Sequence, residues 1–247
     1  MASLAIIGSG AWGSALAISL SEKFDTIYLI AQNEAEVKSV GNQHSALNTP
    51  FSNNITITAD LSQVSAVKAV LIATPSYAFA EVLNKLSHYV TEQQSIAWAT
   101  KGFDTPNACF LHETFENTLP NHAACVISGP TFAMEIAKKK PSAIVVASKN
   151  KTTREYWAAA IQTKTLRAYT NEDITGVEVG GSVKNILAIA AGIAYGLGFG
   201  ANTQAAMITR GLAEMTRLGV ALGAKKSTFQ GLSGMGDLVL TCSEDLS

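Results

Sequence analysis

Short apolar runs alternate along this chain with longer stretches of helical periodicity. Residues 4–7 are a short apolar run and 8–13 a glycine turn. Residues 11–23 read as a helix, with Ala15, Leu16, Ala17, Ile18 and Leu20 available for packing. Residues 26–31, apolar and β-branched, give a second strand and complete a β-turn-α-β unit of the kind that builds parallel sheets. The pattern then repeats. A short helix is predicted over 34–40, an alternating strand over 55–58, and a buried strand over 67–73, where the apolar run ends at Thr74-Pro75. An amphipathic helix at 79–90, strands at 95–100 and 123–128, a helix at 131–138, a strand at 143–147 and a helix at 152–162 follow. Strands alternating with helices predict an α/β fold, a Rossmann-like doubly wound parallel sheet.

Near Asp173 the texture changes. After Val177 no convincing strand is found before Val239, and 182–194 and 203–222 read as long helices. A boundary near 176 therefore separates an α/β domain, 1–176, from an all-helical one, 177–247. Because 185–209 carries no charge, it invites a reading as a membrane span. Gly192, Gly196, Gly198 and Gly200 break it, however, and Asn202 and Gln204 add polarity. A spanning helix wants about 20 mostly apolar residues, so the expectation is a buried core helix followed by a glycine-rich loop, with no membrane span.

Composition narrows the function classes. Of 247 residues, 47% are hydrophobic and 15% charged, enough for a sizeable core and too apolar for disorder. A net charge of −1 argues against a nucleic-acid partner, so an anionic ligand must be held by a few placed groups. The three cysteines, Cys109, Cys125 and Cys242, are odd in number with no close pair. That pattern speaks against a disulfide framework or a cysteine metal site and for a reducing cytoplasm. Met1 to Gly8 lacks a basic segment and reads as a first strand, not a signal peptide.

Gly8-Ser9-Gly10-Ala11-Trp12-Gly13 matches G-x-G-x-x-G, and it follows a strand and opens a helix, the context that gives the motif weight. The first glycine permits the turn, the second lets a pyrophosphate approach the backbone, and the third lets helix and sheet pack closely. Free N–H groups at the helix start and its positive dipole end then favour phosphate. A nicotinamide dinucleotide is the implied cofactor. The second strand ends Ile30-Ala31-Gln32-Asn33-Glu34, with neither a well-placed acid nor an arginine, which leaves NAD and NADP both open.

Lys184 stands in Gly180-Gly181-Ser182-Val183-Lys184-Asn185-Ile186, with no acidic residue within four positions to pair it along the helix. A desolvated lysine has a lowered pKa and serves as a general acid or base near neutral pH; a lysine that snorkels to solvent is the structural alternative. Two clusters fall at predicted strand ends, Trp98-Ala99-Thr100-Lys101-Gly102 and Ser128-Gly129-Pro130-Thr131-Phe132-Ala133, where parallel sheets bind ligands. Gly234-Met235-Gly236-Asp237-Leu238 presents a carboxylate on a glycine turn. His44, His88, His112 and His122 are scattered in settings that are neither apolar nor glycine-rich, which argues against a histidine base.

Taken together, these segments resemble the bacterial NAD(P)-dependent glycerol-3-phosphate dehydrogenase family. So do Gly198-Phe199-Gly200-Ala201-Asn202, Ile208-Thr209-Arg210-Gly211-Leu212-Ala213-Glu214-Met215 and the continuation Val239-Leu240-Thr241-Cys242; the likeness runs from Ile6 to Ser247. The resemblance implies that Lys184 transfers the proton, that Lys101, Gly129, Thr131, Lys184, Asp237 and Ser247 form the substrate site, and that no metal takes part. It implies that Gly8, Ser9, Gly10, Ala11, Trp12, Gly13, Gln32, Lys101 and Ala133 line the dinucleotide. Gln32 stands where the family often has a basic residue or histidine. The family pattern continues after the residue matching Ser247 with an Arg-Asn pair that grips the substrate phosphate, and then with further helices. The chain thus reads as a shortened form of the family's protein, with its own activity in question.

The activity implied is reduction of dihydroxyacetone phosphate to sn-glycerol 3-phosphate by NADH or NADPH, feeding phospholipid synthesis. Two alternatives stay open: another two-domain dehydrogenase with a catalytic lysine, and a cofactor-binding regulator without turnover. The ligand implied by the resemblance is a small phosphate ester. Oligomeric state is not readable, although an exposed apolar helical remnant would invite a homodimer.

Overall fold

The computed structural model describes residues 3–243. Eight strands form one sheet: β1 (Ser3–Ile7), β2 (Thr26–Ile30), β3 (Ile55–Thr58), β4 (Ala69–Ile72), β5 (Ser95–Trp98), β6 (Val126–Ser128), β7 (Ser142–Ala147) and β8 (Leu166–Asn171). Their spatial order is β3-β2-β1-β4-β5-β6-β7-β8. Nine helices accompany them among the described residues: α1 (Ala11–Leu20), α2 (Glu34–Val40), α3 (Ser76–Leu86), α4 (Leu111–Thr118), α5 (Ala133–Ala137), α6 (Lys151–Ile161), α7 (Ile174–Gly196), α8 (Ala201–Ala221) and α9 (Asp237–Ser243).

The apolar runs explain the layering. Successive side chains of a strand point to opposite faces. On β1, Leu4 and Ile6 join one core with Leu16, Ile27, Leu29, Leu71 and Trp157, beneath α1 and α6. Ala5 and Ile7 join the other with Val70, Ile72, Phe79, Leu83, Trp98 and Phe115, beneath α3 and α4. All four residues of β4 are buried, as a strand covered on both faces requires.

Strands β1 to β6 are parallel, as predicted, but β7 is antiparallel to β6, and β8 follows β7. The cause is the link between them. Helix α5 has only 5 residues, about 8 Å of rise, too little to carry the chain back along the sheet for another parallel strand. The chain re-enters at the edge it has just left.

Three further elements depart from expectation. Strand β8 at the sheet edge buries only Leu166 fully, so it has no apolar pattern to recognise. Helix α4, mostly polar, was likewise not anticipated. Residues 239–240, read as the start of a late strand, lie inside α9.

Helix α7 is 23 residues long and continuous, capped by Asp173 through the Gly176 N–H. The proposed boundary at 176 thus falls in its first turn. Its N-terminal half, from Ile174 to Lys184, is largely buried against β6, β7 and the segment preceding α9. Beyond Asn185 it presents an exposed apolar face, with Ile186, Ile189, Ile193 and Tyr195 each at least 60% accessible. The expected core helix is therefore buried over only about half its length. It is the one described helix long and apolar enough to cross a membrane. A small third core of Val179, Met215, Phe229 and Leu238 ties α7 to α8 and α9.

Candidate active site

The carboxyl ends of β1, β2, β4, β5 and β6 open onto one cavity of about 800 Å³. Its wall includes Gly8, Gly10, Ala11 and Trp12 from the first turn, Gln32 and Glu36 after β2, Thr74 after β4, Lys101 after β5, and Thr131 and Ala133 after β6. This is where a parallel sheet binds ligands, because helix starts and loop N–H groups converge there.

The three loop glycines have different physical reasons. Gly8 sits at φ +110°, and a Cβ there would lie 2.7 Å from the Ala73 carbonyl oxygen. A Cβ on Gly13 would come within 1.9 Å of the Gly8 oxygen. Both are demanded by the fold itself. Gly10 is exposed, and a Cβ on it would meet nothing within 4 Å. Its smallness is not needed for packing, which leaves close approach of a ligand as the reason. Helix α1 begins at this point without a side-chain cap, so its first N–H groups remain available to phosphate oxygens. The buried Ser9 Oγ, Trp12 Nε1 and Thr74 Oγ1 have no partner among the described residues. Open space, uncapped donors and orphaned polar atoms together fit a dinucleotide pyrophosphate.

Behind Lys101 of this wall a charged cluster is assembled from three distant segments. Lys101 Nζ donates to Asp237 Oδ2 at 2.7 Å and to the Gly129 carbonyl at 3.2 Å. Lys184 Nζ donates to Asp237 Oδ1 at 2.6 Å and to Thr241 Oγ1 at 3.0 Å. Asp237 is 1% exposed and Lys184 8%. Burial at this level excludes the snorkelling alternative for Lys184; its counter-ion comes not from its own helix but from the start of α9. Asp237 is reached through a π-helical turn at Leu232–Gly236, so the expected glycine turn is in fact a helix entry. A Cβ on Gly180 would strike the Ser233 carbonyl at 2.2 Å, which lets α7 and this turn touch.

With all three groups ionised the cluster carries one excess positive charge in a largely desolvated place. Burial, together with the neighbouring Lys184 charge, draws the Lys101 pKa down to about 8 against the upward pull of Asp237. Such a site attracts an anion and stabilises developing negative charge on oxygen.

Two models of known families match the chain: NAD-dependent glycerol-3-phosphate dehydrogenase N-terminus over residues 3–154 and the corresponding C-terminus over 173–247. The chain belongs to this family. A glycerol-3-phosphate dehydrogenase (NAD(P)+) of Ruthia magnifica subsp. Calyptogena magnifica is 64% identical over 244 residues, 99% of this chain and 75% of that protein. Its namesake in Hydrogenovibrio crunogenus is 46% identical over 253 residues, with 99% and 74% covered. The crystal structure of glycerol-3-phosphate dehydrogenase from Coxiella burnetii superposes with a TM-score of 0.95 at 39% identity, covering all of this chain and 77% of that one. The chain thus spans about three quarters of the length of these relatives.

Within the family frame, most residues singled out in the sequence converge. Gly8, Gly10, Ala11, Trp12, Gln32, Lys101, Thr131 and Ala133 share the cavity wall. Ser9 and Gly13 sit behind it in the same loop. Gly129 holds Lys101 through its carbonyl and also accepts from Thr131 Oγ1 at 3.2 Å. Lys184 and Asp237 are not on the cavity wall themselves; Asp237 links Lys184 to Lys101, which is. Ser247 lies outside the described residues. Sequence reasoning gave no role to Thr241, whose i,i+4 spacing from Asp237 was the available signal. Glu36, four residues past Gln32, gives no sequence signal of its return to the loop, where it accepts from the Gln32 N–H and lines the cavity. His112 proves to be buried, with Nδ1 2.5 Å from Glu178 Oε2, contrary to its scattered polar setting in the sequence. This pair ties α4 to α7 and does not line the cavity.

Proposed function

We propose that this chain carries the active centre of a glycerol-3-phosphate dehydrogenase, reducing dihydroxyacetone phosphate to sn-glycerol 3-phosphate with NADH or NADPH. The observation that carries the reading is the buried Lys184–Asp237–Lys101 chain at 2.6 and 2.7 Å, which reaches through Lys101 a cavity that the glycine loop also lines.

Residues 8–13 and the start of α1 would hold the pyrophosphate, with Gln32 beside the adenosine half and Ala133 towards the nicotinamide half. A reduced nicotinamide supplies the hydride. Lys184, hydrogen-bonded to Asp237, polarises the ketone oxygen of the substrate and gives it a proton; in the reverse direction the neutral amine accepts that proton. Asp237 fixes the amine's direction, assisted by Thr241. Lys101 supplies the excess positive charge that a phosphate ester needs, with Gly129 and Thr131 shaping its seat. Residues 1–176 act as the dinucleotide domain and 177–247 as part of the substrate domain. A cytoplasmic setting, with the product feeding phospholipid synthesis and α7 serving as a core helix rather than a membrane span, accords with this role.

A second assignment has a specific observation behind it. Lys101 reaches the cavity wall and has a pKa near neutrality, about 8, so it could be the proton donor with Lys184 behind it. Turnover of dihydroxyacetone phosphate by the Lys101→Met and Lys184→Met proteins separates the two: the larger loss of kcat marks the proton donor, and a loss confined to KM marks a phosphate ligand. Cofactor binding by the parent with no ketone reduction, in a protein of the relatives' full length, would instead favour a regulator.

A further inference from the structure

The end of β2 carries a carboxylate that bears on the choice between the two nicotinamide cofactors. Beyond Ile30 the chain turns through Ala31, Gln32 and Asn33 into α2. Asn33 Oδ1 accepts from the Glu36 N–H at 3.0 Å, and Glu36 Oε2 accepts from the Gln32 N–H at 2.7 Å. This reciprocal pair of bonds folds the Glu36 carboxylate back over the loop, where it lines the cavity beside Gln32. Glu34, nearer in sequence, does not line it.

We propose that Glu36 makes this chain select NADH over NADPH; the inference rests on reading the cavity as a dinucleotide site. In folds of this kind an acidic group past the second strand accepts hydrogen bonds from the adenosine ribose, whereas a basic group is needed for a 2′-phosphate. Here the acid is supplied from the first turn of α2. The Gln32 N–H fixes one carboxylate oxygen, leaving the other to a ribose hydroxyl. Among the described residues the cavity wall holds two ammonium groups, and both are already paired: Lys85 with Glu81 at 2.6 Å, and Lys101 with Asp237 at 2.7 Å. Gln32 and Asn33 bring no charge. A 2′-phosphate entering beside Glu36 would therefore meet a fixed carboxylate, with the exposed Lys85 shared with Glu81. Like charges placed together in a binding site suppress the wrong partner on the order of a hundredfold.

A plain capping role for Glu36 is the competing account, and Glu36→Gln distinguishes them. Glutamine keeps an oxygen that can accept from the Gln32 N–H, so α2 holds, but it removes the charge. NADH and NADPH are titrated by fluorescence into the parent and the variant at low salt, with melting temperatures recorded alongside. The parent is expected to bind NADH more tightly by on the order of a hundredfold. In the variant NADPH gains affinity and the ratio shrinks about tenfold or more, with little change in melting temperature. A ratio that the substitution leaves unchanged means Glu36 only caps, and overturns the proposal. Equal binding of both cofactors by the parent overturns it while leaving the dinucleotide site standing. Failure of both to bind removes the dinucleotide reading, and the proposal with it.

Discussion

Replacing Asp237 by Asn tests the charge balance on which the site is built. The carboxylate is 1% exposed and bridges Lys184 at 2.6 Å and Lys101 at 2.7 Å. Asparagine fills the same volume but leaves two ammonium groups facing each other with no counter-ion. Breaking a buried ion pair costs about 3–5 kcal/mol. The Lys101 side chain is 20% exposed, so water screens part of the loss and the lower half of that range is expected. For a chain of this size each kcal/mol moves the melting temperature by about 2–4 °C, which gives a fall of about 6–16 °C at neutral pH. The pH dependence is the sharper test. Burial already depresses the Lys101 pKa to about 8 from 10.5. Without Asp237, which pulls it upward, it must fall further. A lysine whose folded-state pKa is depressed costs stability wherever the unfolded chain still holds the proton that the folded one resists, and this cost vanishes above 10.5. The parent already bears part of this cost, so the Lys101 contribution to the variant's deficit is full below the variant's lowered folded pKa, shrinks as pH rises towards about 8, and is gone above it. Calorimetric melting of parent and variant across that span measures it. Melting within about 2 °C of the parent at neutral pH, or a deficit that does not vary with pH, would refute the reasoning.

Gly10→Ala should leave the melting temperature nearly unchanged, since its Cβ enters open space, yet abolish dinucleotide binding; Gly13→Ala, 1.9 Å from the Gly8 oxygen, should lower stability as well. Titration and melting of the two variants check the contrast, and unchanged cofactor affinity in Gly10→Ala would sink the pyrophosphate assignment. The KM for dihydroxyacetone phosphate should rise above a pH of about 8 as Lys101 loses its proton, and Lys101→Met should flatten that rise. A pH profile of KM identical in parent and variant would remove Lys101 from phosphate binding.

Much of this was legible in the sequence because the signals were local. A glycine loop between a strand and a helix is contiguous, so Gly8 to Gly13 announced both fold and cofactor. The two-sided burial of β4 was written in an unbroken apolar run. Lys184 stood out because its helix offered it no partner. What escaped depended on contacts distant in sequence. Nothing near Lys184 indicates that Asp237, on another helix, holds it, and only the resemblance brought the two together beforehand. His112 is buried because α4 packs beside Glu178 of α7, a contact 66 residues away in sequence. The reversal of β7 follows from the shortness of α5, a length that propensity alone overestimated. Strand β8 is recognisable only through its pairing with β7. Glu36 was hidden by a capping arrangement, which makes a distant acid the near one in space.

Lys184 is central to the proposed mechanism as the group that moves the proton. Methionine at this position keeps most of the side chain's length and its apolar stem while removing the amine. In a protein carried to the full length of its relatives, kcat for reduction of dihydroxyacetone phosphate by Lys184→Met should fall by about 10²–10⁴-fold, the scale of general acid–base catalysis, while cofactor affinity stays near that of the parent. Turnover within a few-fold of the parent, with the cofactor still bound, would contradict the mechanism.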